Sequence, residues 1–265
     1  MSLLQIAVLA IVQGLTEFLP VSSSAHLILV NRLGDWPDQG LEMDVAVHVG
    51  TLLAVVVYFR HELTGLLRAW LEPADDPITV QRRTVGLGLV IGTVPVVLVG
   101  ALFYDTIADS LRDVRVIAMA TLFFGMALLL ADRYSPRYRD LSELRLSHAL
   151  WIGLAQALAL IPGTSRSGAT LTMGRLLGFT PIAAAKFSFL LSIPVIAAAG
   201  LRGGFELVTE GSNLPWQQFL AAMVLAALAG WLCIAAFLAL LARMGLLPFI
   251  LYRLALGLVL LGISL

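Results

Sequence analysis

Two stretches, QGLTEFLPVSSSAH (residues 13–26) and QALALIPGTSRSGATL (residues 156–171), decide the fold of this chain. Each lies inside an apolar segment, Leu3–Leu33 and His148–Gly178, and each interrupts it with proline and hydroxyl residues, the second also with Gly and Arg. Such segments are too long for one membrane crossing and too interrupted for two. Their halves run about 9 to 15 residues, the length of half-helices in a re-entrant hairpin. Non-helical backbone at membrane depth survives only where protein or a wet cavity satisfies its N–H and C=O groups. Each break therefore predicts an internal polar site.

The remaining composition agrees. Of 265 residues, 59% are apolar and 13% charged, about half the charged fraction of a soluble domain. That excludes an ordinary soluble domain. The formal net charge is zero, so no nucleic-acid partner is expected. A single cysteine, Cys233, lies in an apolar run and reads as a small buried hydrophobe, leaving no disulfide framework and no Cys-based metal site. No Lys or Arg precedes the run Leu3–Val12, so the N-terminus lacks the basic start of a cleavable signal and is expected in the mature protein.

Six further runs approach the length that crosses a bilayer: Val45–Phe59, Thr84–Tyr104, Val114–Ala131, Ile182–Leu201, Trp216–Ala242 and Pro248–Leu265. The first is short, with helix expected to continue past Arg60 to Trp70 outside the membrane. Aligning Pro20 with Pro162 places Ser23 on Ser165, Ser24 on Arg166 and His26 on Gly168. Three long runs follow each break, so the chain reads as one integral membrane domain with pseudo-repeat halves 1–132 and 147–265. A re-entrant hairpin returns to its own side and three crossings reverse sides. The expected fold is thus an all-α polytopic membrane protein with an inverted-topology repeat, each half a re-entrant hairpin plus three transmembrane helices. Its two tips would meet near the midplane, as in many transporters. With residues 60–83 in the cytoplasm, eleven basic residues face that side, among them Arg133, Arg137, Arg175 and Arg243. Four (Arg32, Arg112, Arg115 and Arg202) face the other, a positive-inside bias that opens the first hairpin outward.

Glu17, Arg166, Arg253, His26 and His48 are the ionisable groups at membrane depth. An intramembrane charge costs at least about 2.5 kcal/mol on insertion scales and normally faces a partner or a cavity. Glu17 precedes the first proline by three residues and Arg166 follows the second by four, so tips that meet bring both into one pocket. The second break suits an anion. Arg166 offers a planar fork of donors, surrounded by the hydroxyls of Thr164, Ser165, Ser167 and Thr170, and a half-helix expected from about Ser167 points its free N–H groups the same way. The first break adds Ser22, Ser23 and Ser24 as donors or nucleophiles and His26 as acid, base or nucleophile. Gln13 and Glu17, four residues apart, share a helix face and present an oxygen pair suited to Mg²⁺ or Ca²⁺.

QGLTEFLPVSSSAH and PGTSRSGAT resemble the two signature motifs of the undecaprenyl-diphosphate phosphatase (bacitracin-resistance) family, and the resemblance extends through DVAVHVGTLLA and PFILYRLALG. It implies function for Gln13, Glu17, Ser23, His26, Ser165, Arg166 and Thr170. It also implies a divalent cation, a homodimer, and a multi-pass enzyme of the bacterial inner membrane whose active site is reached from the periplasm. One departure is Gln13, where the family's motif often carries Glu; this weakens position 13 as a metal ligand relative to Glu17. The unrelated acid-phosphatase-type lipid phosphatases need Arg-Pro and Ser-Gly-His, which this chain lacks.

The expected reaction is hydrolysis of an isoprenoid diphosphate lipid to the monophosphate and phosphate, with the tail among membrane lipids. Ser23 activated by His26 or Glu17 is the first choice of nucleophile; His26 itself and a metal-bound water remain open. The alternative is an isoprenoid-lipid flippase or secondary transporter, since broken helices at the midplane also serve transport. Other residues read as structural. Arg253 is expected to snorkel to the cytoplasmic interface. His48 is expected to serve structure, His61 and His148 to lie in loops or boundaries, and Asp35, Asp38, Glu42 and Asp44 to form a solvated acidic loop.

Overall fold

Both proline breaks become helical hairpins. The computed structural model describes residues 1–36, 39–73, 75–110, 113–210 and 215–264; Asp38 and Arg112 lie outside them. Helices α1 (Leu3–Thr16) and α2 (Ser23–Leu33) flank the first break, and α7 (Leu146–Ala157) and α8 (Arg166–Leu176) flank the second. These half-helices have 14, 11, 12 and 11 residues. At about 1.5 Å per residue none crosses a bilayer alone.

The long runs form α3 (Gly40–Tyr58), α5 (Pro77–Ser110), α6 (Val114–Tyr134), α9 (Pro181–Glu210), α10 (Trp216–Met244) and α11 (Leu247–Ile263). Among the described residues five spans, in α3, α5, α6, α9 and α10, are long and apolar enough to cross a membrane. The chain is a multi-pass, all-helical membrane protein; the described residues contain no strand, only an isolated bridge between Arg139 and Phe179. The short run expected from Val45 reaches crossing length by starting at Gly40. Its expected continuation past Arg60 is instead broken at Phe59 (φ −94°, ψ 21°), and α4 (Arg60–Arg68) begins as a separate amphipathic helix. The break lets α4 leave the direction of α3. Arg83 then donates to the carbonyls of Ala69 and Glu72 and lies over the Trp70 ring.

Small residues set how the hairpins dock. A Cβ on Gly14 of α1 would lie 2.6 Å from Ala229 Cβ of α10, and one on Gly153 of α7 would collide with the backbone of Gly92 in α5. Close backbone approach is what holds membrane helices together when lipid removes the hydrophobic contrast. Beside the first tip, Phe18, Phe59, Phe189 and Phe237 are fully buried, with Phe18 edge-on to Phe189 at 5.5 Å and Phe189 5.7 Å from Phe237. This aromatic plug joins the first hairpin to α9 and α10.

Arg175, counted above among loop charges, is fully buried at the end of α8. Its guanidinium meets Asp132 at 2.8 Å and donates to the carbonyls of Ser135, Pro136 and Phe179. The free carbonyls at two chain turns and one carboxylate satisfy it there. His148 is likewise buried, accepting from the Arg145 N–H at 3.2 Å and packing edge-on to Phe179.

Candidate active site

Serine caps shape both hairpin tips. Ser22 and Ser165 are the N-caps of α2 and α8, with φ of 70° and 64°, left-handed values uncommon outside glycine. Each hydroxyl accepts from the N–H three residues on, Ala25 at 3.4 Å and Gly168 at 3.1 Å. Each also lies 3.1 Å from a second hydroxyl, Ser24 or Ser167. The tips therefore correspond with Ser22 on Ser165, one residue away from the alignment on the prolines. The second turn holds Gly163 and Thr164 where the first holds Val21 alone. In this register Ser23 and Arg166 occupy the same place, the first residue of each half-helix, and α8 starts one residue before the expected Ser167.

The tips touch. Ser167 Oγ donates to Leu19 O at 2.7 Å, and the Gly163 N–H donates to Ser24 Oγ at 3.3 Å. Arg166 Nη2 meets Glu17 Oε1 at 3.1 Å, with only 12% and 10% of the two side chains exposed. Its other terminal nitrogen donates to Ser188 O of α9 at 3.0 Å. Glu17 Oε2 accepts from Gln13 Nε2 at 2.9 Å and from Ser23 Oγ at 3.2 Å. One carboxylate thus gathers an arginine, an amide and a hydroxyl from three parts of the chain.

Gln13 is fully buried, and its Nε2 also lies 3.2 Å from His48 Nε2. His48 Nδ1 faces the Asp44 carbonyl at 2.7 Å. A carbonyl can only accept, so Nδ1 carries the proton and Nε2 is left to accept from Gln13. His48 therefore orients the amide, and Gln13 Oε1 has no partner among the described residues. A cleft of about 330 Å³ opens here, with Gln13, Ser23, Ser24 and His48 on its polar side and Leu27 and Ile28 on its apolar side.

Other expected site residues take supporting places. Ser165 caps α8 and Ser167 staples the tips. Thr170 is buried behind Arg166, its hydroxyl donating to Arg166 O at 2.9 Å and 2.7 Å from Ser188 Oγ. It braces the arginine rather than facing the cleft. His26 bonds Ser22 O through Nδ1 and the Tyr252 hydroxyl through Nε2, both at 2.8 Å, with the rings stacked at 5.6 Å. Ser23 is hydrogen-bonded to Glu17, and His26 is directed to Tyr252.

A serine, a carboxylate and an arginine converging beside a part-polar, part-apolar cleft can bind and transfer a phosphoryl group. Comparison with known proteins agrees. The family model of the bacitracin resistance protein BacA matches residues 6–259. The chain belongs to that family. It is 52% identical over 262 residues to the undecaprenyl-diphosphatase of Chromohalobacter salexigens, covering 98% of each chain. It is 52% identical over 261 residues to that of Thioalkalivibrio sulfidiphilus, covering 97% of each, and 51% identical over 264 residues to undecaprenyl-diphosphatase 2 of Stutzerimonas stutzeri, covering 98% of each.

In this BacA-family chain, sequence reasoning misplaced one residue of the site outright. Arg253 does not snorkel to an interface; it is fully buried between the two tips. Its guanidinium donates to Thr121 O at 3.1 Å, Pro20 O at 3.4 Å, Gly163 O at 3.0 Å and Thr164 O at 2.5 Å. The carbonyls of Pro20, Gly163 and Thr164, released by the proline breaks, lack helical partners, and a five-donor fork collects them and ties them to α6 at Thr121. A Cβ on Gly168 would collide with this guanidinium. The signal in the sequence was the demand for donors at each break, which an arginine inside an apolar run can meet.

Proposed function

We propose that this chain hydrolyses undecaprenyl diphosphate to undecaprenyl monophosphate and inorganic phosphate, the activity for which its relatives are named, returning the lipid carrier to cell-wall synthesis. The observation that carries the site assignment is the Glu17 carboxylate, shared by Arg166 of the opposite tip and Ser23 at the cleft.

Ser23 Oγ attacks the terminal phosphorus while its proton passes to Glu17 Oε2. The bond from phosphorus to the bridging oxygen breaks, and the departing monophosphate takes that proton. Water then attacks the phosphoserine, giving a proton to Glu17; Ser23 Oγ leaves, takes the proton back, and phosphate is released. Arg166 neutralises charge on the transferring group with donors beyond the two it spends on Glu17 and Ser188. The N-termini of α2 and α8 meet at the touching tips and bring their positive dipole ends together. Leu27 and Ile28 continue the cleft toward an isoprenoid tail lying among membrane lipids.

A divalent cation, Mg²⁺ or Ca²⁺, is part of the proposal. The described residues hold no cluster of three metal-binding acids, histidines or cysteines, but Mg²⁺ is commonly held by one or two carboxylates plus substrate phosphates. The unpartnered, buried Gln13 Oε1 beside Glu17 supports that fit. Glu17 and Gln13 would hold the ion together with diphosphate oxygens. Bound there, it would supply further charge neutralisation.

The inverted repeat belongs to the same reading. It is supported by the recurrence in each half of a hairpin followed by three apolar helices, the last of them, α11, shorter at 17 residues, and by the way α1 packs on α10 while α7 packs on α5. The positive-inside bias then puts the first hairpin on the periplasmic side of the inner membrane. The chain acts as a homodimer, as the family resemblance implies. The relatives' names carry hydrolysis rather than transport, so no flippase is proposed.

Phosphate release from C55 and C15 isoprenyl diphosphates in detergent, with and without chelator, tests the proposal, since no sealed membrane exists there to transport across. Glu17→Gln and Arg166→Ala are expected to abolish release while eluting as monodisperse protein. Near-normal turnover by either would overturn the site. A phosphate adduct on Ser23, trapped by quenching and read by mass spectrometry, is expected; its absence with full turnover by Ser23→Ala would point to direct attack by water.

A further inference from the structure

A larger cavity, about 650 Å³, lies away from the hairpin tips, where the ends of α6 and α10 meet the first turns of α9 and α11. Arg133, Arg137 and Arg243 line it, beside Leu129, Leu241 and Leu246. Arg133 is twelve residues along α6 from Thr121, which touches the tips, so the cavity is about 18 Å away at 1.5 Å per residue. It is not an extension of the active-site cleft.

Its charge is unbalanced. Asp132 is the acid in the lining, and it is held by buried Arg175 at 2.8 Å as well as by Arg137 at 3.2 Å. Asp140 lies behind Thr180, 3.5 Å from its hydroxyl. Arg133 and Arg243 are exposed and have no side-chain hydrogen bond or ion pair among the described residues. The positive dipole ends of α9 and α11 are balanced there by the negative ends of α6 and α10, so the excess positive charge is that of the arginine side chains. Met244 and Leu247 in the lining are exposed, an apolar rim that suits acyl chains. At the end of membrane-spanning helices, this combination suits an anionic headgroup.

We propose that this cavity binds the phosphodiester headgroup of an anionic phospholipid. Occupancy would brace α6 and α11, which pack on one another and carry Thr121 and Arg253 to the hairpin tips. Inorganic phosphate shares the headgroup chemistry but has no use for the apolar rim. The proposal does not depend on the identity of the substrate.

Native mass spectrometry of the full chain, in detergent containing equal phosphatidylglycerol and phosphatidylcholine, reads the site. The unaltered protein is expected to retain phosphatidylglycerol preferentially. The double variant Arg133→Gln, Arg243→Gln is expected to hold it about thirtyfold more weakly, with phosphatidylcholine unchanged. Thermal unfolding supplies the second arm: phosphatidylglycerol should stabilise the unaltered protein and excess inorganic phosphate should not. Equal retention of phosphatidylglycerol by protein and variant, or stabilisation by inorganic phosphate alone, would overturn the proposal. If the double variant aggregates, the single Gln variants should each lose part of the preference and Arg133→Lys with Arg243→Lys should keep it; retention in all of them would overturn it equally.

Discussion

Replacing Arg253 by methionine keeps the length of the side chain and removes every donor. The carbonyls of Pro20 and Thr164 then lose their partner, while Gly163 O keeps the Thr121 hydroxyl and Thr121 O keeps its place within helix α6. A buried acceptor left unsatisfied costs about 1–3 kcal/mol, so simple addition over the two gives roughly 2–6 kcal/mol. Relaxation and the relief of burying the guanidinium offset part of this, leaving about 3 kcal/mol. For a chain of this size each kcal/mol lowers the midpoint by about 2–4 °C, so Arg253→Met should unfold about 10 °C lower in detergent. Because Arg253 sets the spacing of the two tips, turnover below the new midpoint should also fall about a hundredfold, the usual result of displacing reacting groups by about 1 Å. Arg253→Lys keeps the charge but offers three donors without the planar fork and should lie between. Paired thermal-shift and phosphate-release assays read both quantities. An Arg253→Met protein with unchanged midpoint and turnover would refute the clasp.

Ser23→Ala should reduce phosphate release far more than His26→Ala, because Ser23 bonds Glu17 whereas His26 bonds Ser22 O and Tyr252; a larger loss for His26→Ala would move the chemistry to the imidazole. Asp132→Asn leaves Arg175 buried without its carboxylate and should destabilise by about 3–5 kcal/mol, measured as a lower unfolding midpoint with little change in KM below it. Gln13→Glu places a second carboxylate beside Glu17. It should shift activation by Mg²⁺ or Ca²⁺ to about tenfold lower concentration, a change of about 1.4 kcal/mol, and an unshifted cation titration would remove Gln13 from the cation's neighbourhood.

Membrane residence, the two hairpins and the pairing of Glu17 with Arg166 were legible from the amino-acid order. The reason is local and energetic. A proline inside an apolar run must free backbone groups within that run, and a charge at membrane depth must find an opposite charge or a cavity. With two breaks and one strong charge beside each, few pairings were open. The half-helices matched the expected lengths for the same reason, since serine caps and prolines act within a few residues of where they stand.

What the tertiary structure alone decided are relations between segments far apart in the chain. The tips correspond through Ser22 and Ser165 rather than through their prolines, because an N-cap is defined by backbone geometry and not by residue identity. Ser23 shares Glu17 while His26 turns to Tyr252 of α11, a choice made by helix rotation. Arg253 reaches carbonyls 233 and 90 residues distant along the chain, and nothing in its own neighbourhood names those acceptors. Composition and spacing state which groups need partners; only packing brings a particular donor within 3 Å or so of a particular acceptor.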